Sequence, residues 1–380
     1  MAFRRLTERG SPRSAHPFRN VAVVGAGAYG SALAHVAAHG GRQVSLWTRR
    51  PELAHQIRET SSNPEYLPGI VLEPSIRVSP DLSTVLRDAD AVLLAVPSHA
   101  IRQTARDTRA VLPAGIPITV CAKGIEAGSG LLMSQIIEDE LPGHTVGALS
   151  GPTFARELAA GHPSAATLAF SFDQTDRLHP ENSAAARMAV TLATPAFRTY
   201  LSDDLVGVEV GGAVKNVIAI ACGMMRGAGF SENTRAALIT RGLDEMKALA
   251  EALGGRRETV TGLSGIGDLT LTCSSTTSRN MSLGVQLGQG IARPECFGGR
   301  PTVVEGETNA LSITDLARKL AVPMPICETV RGILHEGHSI AESFARLWSE
   351  PIESEPRAMS LTFAHPASWS GGPKIEARLR

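Results

Sequence analysis

The sequence has no charge of one sign to spare: lysine plus arginine number 37, and aspartate plus glutamate also number 37. A balanced chain lacks the global basic field that draws a protein to nucleic acid or anionic lipid, so an anionic ligand must be held by local groups. No uninterrupted apolar run reaches the length that spans a bilayer, and a soluble protein without a membrane span is the expectation. A C-x-x-C pair is missing too. The five cysteines, Cys121, Cys222, Cys273, Cys296 and Cys327, are odd in number and widely separated, which argues against a disulfide or zinc framework and for reduced thiols in a cytosol. H-E-x-x-H spacing is also lacking. His335 and His338 are therefore read as solvent-facing residues at a helix end, and no metal is expected.

What the chain does have begins with VAVVGAGAYGSALA, residues 21–34. A short apolar run enters Gly25, Gly27 and Gly30 and passes at once into a small-residue helical pattern, which predicts strand, tight turn and helix. Each glycine answers a different need: Gly25 turns the backbone sharply, Gly27 lets it approach a pyrophosphate, and Gly30 brings the helix close to the strand. The N–H groups and positive dipole end at the start of that helix would hold the phosphates of a dinucleotide.

A second strand, QVSLW, ends in Thr48, Arg49 and Arg50. An NAD-selective site usually places an acid there for the ribose 2′-hydroxyl, whereas arginine suits a 2′-phosphate, so NADPH, or use of both cofactors, is expected. Further strands are predicted within DADAVLLAVPSHAIR, in PITVCA just before Lys123 and Gly124, in TVGALS before Gly151, Pro152 and Thr153, and near residues 166–170 and 197–201. Ligands of open parallel sheets bind beyond the carboxyl ends of the strands, which is where Lys123 and the Gly151–Thr153 turn would lie. The alternation predicts a doubly wound α/β domain over residues 20–204. Helical text follows over 205–348, so the fold class is α/β, a Rossmann-like sheet followed by an all-α C-terminal domain. Residues 1–19, rich in arginine, and 349–380, rich in Ser, Pro and charge, are read as disordered.

In the helical half, GGAVKNVIAIACGMM is apolar almost all round except for Lys215 and Asn216. A helix of that kind belongs in a core. Lys215 would lose hydration there and, being expected near the helix N-terminus, would also meet the positive dipole end. Both effects lower its pKa and suit it to proton transfer, although a position in the first turns also allows a lysine to snorkel to the surface. GLSGIGDLTLTCSSTTSRN, residues 262–280, offers Asp268 and a cluster of Ser278, Arg279 and Asn280 leading into a helix, a combination suited to phosphate oxygens.

Taken together, GAGAYGSALA, AVPSHAIR, AKGIE, LSGPTFARELAAG, GVEVGGAVKNVIAIACGM, NTRAALITRGLDEM, GLSGIGDLTLTCSSTTSRN and VVEGETNA occur in one order. In that order the chain resembles bacterial NAD(P)-dependent glycerol-3-phosphate dehydrogenase over about residues 20–348. The resemblance implies reversible reduction of dihydroxyacetone phosphate to sn-glycerol 3-phosphate, feeding glycerophospholipid synthesis, in a cytoplasmic homodimer. It implies that Lys215 is the proton donor and acceptor, and that Lys123 and Asp268 flank the reacting carbon. It makes Gly151, Thr153, Ser278, Arg279 and Asn280 substrate contacts. Cofactor contacts fall on Ala28, Tyr29, Arg49, Arg50, Lys123, Ala155, Arg279, Val303 and Glu305. Ala28 departs from the hydroxyl or amide side chain of many relatives, which leaves only a backbone contact there. Two other readings stay open on the sequence: a dehydrogenase of unphosphorylated hydroxy acids, and a nucleotide-sensing protein without catalysis.

Overall fold

The structure is a computed structural model that describes residues 13–353 and 362–365. The chain divides into two compact units. The first takes in the described residues up to Ala122 together with Ser134–Leu205, and the second takes in Lys123–Met133 together with the residues from Val206 on.

The first unit is built on an eight-stranded sheet in the order β3-β2-β1-β4-β5-β6-β7-β8. Its strands are β1 Asn20–Val24, β2 Gln43–Trp47, β3 Arg77–Ser79, β4 Ala91–Leu94, β5 Ile118–Val120, β6 Val146–Ser150, β7 Ser164–Phe170 and β8 Phe197–Ser202. In β1 every residue from Val21 to Val24 is buried, as a strand covered on both faces requires. β1 pairs in parallel with both β2 and β4, so strand order reverses at β1, and the turn after Val24 opens where doubly wound sheets bind their ligands.

One pairing breaks the parallel rule: β7 runs antiparallel to β6. The helix between them, Ala155–Ala159, has five residues. At about 1.5 Å per residue it covers less than half the length of a strand, too little to carry the chain back for a parallel return.

The second unit is helical and is organised round Leu205–Gly227, a helix of 23 residues. It is long and apolar enough to cross a membrane, yet 94% of its most apolar window is buried inside the protein. Its close partner is the helix Arg279–Gly288. A Cβ on Gly223 would lie 2.3 Å from the Met281 carbonyl oxygen, and one on Gly284 would lie 2.2 Å from that of Ile220. Glycine at these positions lets the two backbones touch, which fixes Ser278, Arg279 and Asn280 against the helix that carries Lys215.

Three expectations need correction. Lys215 does not stand near a helix N-terminus: the helix begins at Leu205, and Lys215 lies near its middle. The positive dipole end, which acts within the first turn, therefore has no part in its chemistry. Residues 123–133 belong with the helical unit and not with the sheet, because Ile125 and Leu132 are buried in the helical core and Gly130 abuts Leu316. Disorder up to Arg19 fails from Arg13 onward. Phe18 is buried, its N–H donates to Thr191 Oγ1 at 2.8 Å, and the Arg187 guanidinium lies 4.0 Å from the centre of its ring. In the expected C-terminal tail, Ile352–Glu353 pairs antiparallel with Thr362–Phe363. Residues 1–12, 354–361 and 366–380 of the two expected disordered segments lie outside the described residues.

Candidate active site

The glycine turn has the geometry its sequence predicts. Gly25 has φ +117°, a conformation that L side chains rarely adopt, and its N–H donates to the Trp47 carbonyl at 3.1 Å. A Cβ on Gly30 would fall 1.9 Å from the Gly25 carbonyl oxygen, so only glycine lets the helix Ala28–His39 start against the strand. Gly27 is the helix N-cap and has no side chain to cap with. A Cβ there would meet no protein atom within 4 Å, so the space beside it is open to an approaching ligand. The turn therefore fits a dinucleotide pyrophosphate on its own geometry.

That contrast gives a direct check. Gly30→Ala is expected to destabilise the fold by about 1–3 kcal/mol through overpacking, read as a lower denaturant midpoint. Gly27→Ala should leave the midpoint within about 0.5 kcal/mol while weakening dinucleotide binding, because the added methyl faces only the ligand. Equal loss of stability in both variants would contradict the assignment.

Around the turn, the Tyr29 hydroxyl and Thr153 Oγ1 share a hydrogen bond of 3.0 Å, which brings a residue of the glycine motif onto one from the loop after β6. Thr153 also donates to the Gly151 carbonyl at 3.2 Å. Gly151 is required by packing, since a Cβ there would sit 2.8 Å from the Ala166 Cα. Ala28 and Ala155 are the first residues of their helices. Arg49 and Arg50 are exposed beyond the end of β2, and Arg50 is bonded to Glu65.

In the helical unit three charged side chains meet. Lys215 Nζ donates to Asp268 Oδ1 at 2.7 Å, and Lys123 Nζ donates to Asp268 Oδ2 at 2.6 Å. Side-chain exposure is 8% for Lys215, 3% for Asp268 and 14% for Lys123, so one carboxylate holds two nearly dry ammonium groups. Burial raises the Asp268 pKa, but the two lysines outweigh it and hold the carboxyl below its usual value. For Lys215, burial is the largest influence. With help from the Lys123 charge it outweighs the pull of Asp268, and the amine is lowered to about 8.

Thr272 completes this group. Its Oγ1 accepts from Lys215 at 2.9 Å and its hydroxyl donates to Asp268 Oδ1 at 3.3 Å. It follows Asp268 by four residues on the helix Asp268–Ser274, and that spacing puts both on one face. The sequence reading missed Thr272 because it did not assign a helix there. It also gave Asn216 no role at the site. Asn280 donates to Asn216 Oδ1 at 2.8 Å and accepts from the Gly306 N–H at 2.9 Å, while Asn216 donates to Glu305 at 3.2 Å. Asn280 thus ties the start of the helix Glu305–Lys319 to the Lys215 helix. Ser278 caps its own helix through Met281 N at 3.3 Å, and Arg279, the first residue of that helix, is exposed. Val303 is exposed as well.

Among the described residues there is no group of three or more His, Cys, Asp or Glu side chains able to hold a metal ion.

Comparison with known proteins points one way. The profile of the NAD-dependent glycerol-3-phosphate dehydrogenase N-terminus matches residues 20–176, and that of its C-terminus matches residues 204–345. Glycerol-3-phosphate dehydrogenase [NAD(P)+] of Rhodospirillum rubrum is 44% identical over 354 residues, 93% of this chain and 98% of the relative. The protein of the same name from Caulobacter vibrioides is 45% identical, over 89% of this chain and 99% of its own. Among solved structures, glycerol-3-phosphate dehydrogenase from Coxiella burnetii superposes with a TM-score of 0.81 at 35% identity, covering 87% of this chain and 99% of that one.

Proposed function

The chain belongs to the NAD-dependent glycerol-3-phosphate dehydrogenase family, and from that premise we propose that it reduces dihydroxyacetone phosphate reversibly to sn-glycerol 3-phosphate with Lys215 as proton donor and acceptor. The observation that carries the assignment is the setting of that amine. An ammonium has three donors. Two of those of Lys215 are spent on Asp268 and Thr272, which aims the third, and a pKa of about 8 lets the group give or take a proton near neutral pH.

When bound, the reduced nicotinamide supplies hydride to C2 of the ketone. As negative charge grows on the carbonyl oxygen, Lys215 passes it a proton and the nearby Lys123 stabilises the charge that remains. Asp268 holds both lysines in place, and its charge offsets part of their desolvation. Arg279 and Ser278 hold the substrate phosphate and so orient C2. Gly151, Thr153 and Asn280 complete the substrate contacts. The glycine turn with Ala28, Tyr29, Lys123, Ala155, Arg279, Val303 and Glu305 holds the dinucleotide. Arg49 and Arg50, where an acid would mark NAD selectivity, support NADPH as the preferred cofactor with NADH also used. The same reading gives a cytoplasmic homodimer that supplies glycerophospholipid synthesis, in keeping with five buried cysteines that form no disulfide.

The experiment is consumption of reduced cofactor with dihydroxyacetone phosphate against unphosphorylated dihydroxyacetone. Loss of the phosphate leaves the arginine unpaired and the ketone unpositioned, so kcat/KM should fall on the order of 10³-fold or more. Comparable turnover of the two ketones would favour a hydroxy-acid dehydrogenase, and no turnover of either would favour a binding protein.

A further inference from the structure

Arg50 does not stand free for a ligand. Its Nη1 lies 2.7 and 2.6 Å from the two carboxylate oxygens of Glu65. Both side chains are exposed, 48% and 43%, yet their meeting is fixed by the loop that carries Glu65. Two residues earlier the fully buried Asn63 donates to the Ala26 carbonyl at 2.8 Å and to Ser31 Oγ at 2.9 Å. Its Oδ1 accepts from the Tyr66 N–H at 3.2 Å, and its carbonyl accepts from the Leu67 N–H at 2.8 Å. The loop is thereby bonded to the glycine turn itself, which sets a carboxylate beside the arginine that follows β2.

We propose that Glu65 is a specificity-determining residue, a built-in competitor that occupies Arg50 and must be displaced by the 2′-phosphate of NADPH but not by the 2′-hydroxyl of NADH. This rests on the dinucleotide reading of the glycine turn. A phosphate arriving at Arg50 breaks an existing ion pair and meets the Glu65 charge at close range, so part of its attraction is cancelled. A hydroxyl carries no charge, and it can donate to the same carboxylate without disturbing the pair. Hydrogen bonds with Arg50 and then Tyr66, together with the Arg50 charge, hold Glu65 below the usual carboxylate range, so the competitor stays ionised at neutral pH. The acid thus weakens NADPH alone at a site whose arginines would otherwise favour it, and the chain accepts both cofactors.

The test is Kd for NADPH and for NADH, measured by cofactor fluorescence without substrate, in the wild type, Glu65→Gln, Arg50→Ala and the double variant. Glu65→Gln should tighten NADPH about three- to tenfold, in line with an exposed ion pair plus relief of repulsion, and should change NADH by less than about twofold. Arg50→Ala should weaken NADPH more in the Glu65→Gln background than in the wild type, because only there is the arginine unengaged. An unchanged NADPH-to-NADH ratio in Glu65→Gln, or equal effects of Arg50→Ala in both backgrounds, would overturn the proposal. Failure of the activity assignment reads differently: it would appear as no turnover of dihydroxyacetone phosphate by a wild type that still binds cofactor.

Discussion

Lys215→Ala is expected to lower kcat for dihydroxyacetone phosphate reduction about 10²–10⁴-fold, with cofactor affinity retained. General acid catalysis by a positioned group is worth that range, and the upper end applies where the same ammonium also stabilises the developing alkoxide. The fold should tolerate the loss of charge, because Asp268 keeps Lys123 at 2.6 Å and is not left as a lone buried anion. Deleting the stem of a buried side chain opens a cavity, so Lys215→Met is the matched control, keeping the chain length while removing the proton. Both variants should show the same kinetic defect and differ only in unfolding midpoint. Turnover near the wild-type value in Lys215→Met would remove Lys215 from the mechanism.

Much of this site could be read from the chain, and the failures have local causes. Lys215 stood out because a charge within an all-apolar helical run has few other reasons to be there. The start of its helix did not, since the paired Gly211 and Gly212 look like the entry to a helix, while in the structure the helix runs through them and a Cβ on Gly211 would lie 2.8 Å from the Ser264 carbonyl oxygen. Close packing overrode the low helix propensity of glycine, and the error in the helix start produced the error about the dipole. Thr272 was invisible for a related reason. Its relation to Asp268 exists only if Asp268–Ser274 is helical, and the glycines and β-branched residues of GLSGIGDLTLT give no helical signal. The antiparallel β7 was equally hidden, because direction depends on how far a five-residue helix can reach and not on the pattern of the strand. Where the demand was on backbone conformation or close approach, as at Gly25 and Gly30, the residue alone announced it.

Asp268→Asn should do something different from removing the lysine: it should move the pH at which the enzyme works. Reduction needs the protonated amine, so kcat/KM for the ketone holds below the Lys215 pKa and falls as pH rises through about 8. Oxidation of glycerol 3-phosphate needs the neutral amine and rises through the same value. Desolvation is the main cause that lowers this pKa, Asp268 opposes it, and the Lys123 charge adds to the lowering. Replacing the carboxylate by a neutral amide of the same shape removes the opposing influence and leaves the other two, so both limbs must shift to lower pH. At neutral pH the reduction then loses about 10²-fold or more, part of which returns on acidification, whereas Lys215→Ala should not recover at any pH. The variant also deprives the buried Lys215 ammonium and the partly buried Lys123 ammonium of the carboxylate they share. A broken buried pair costs about 3–5 kcal/mol, and the variant avoids part of that when a lysine sheds its proton, which is the same event as the shift in the profile. A limb that stays near its wild-type pH in Asp268→Asn would mean that Asp268 does not govern the charge of Lys215.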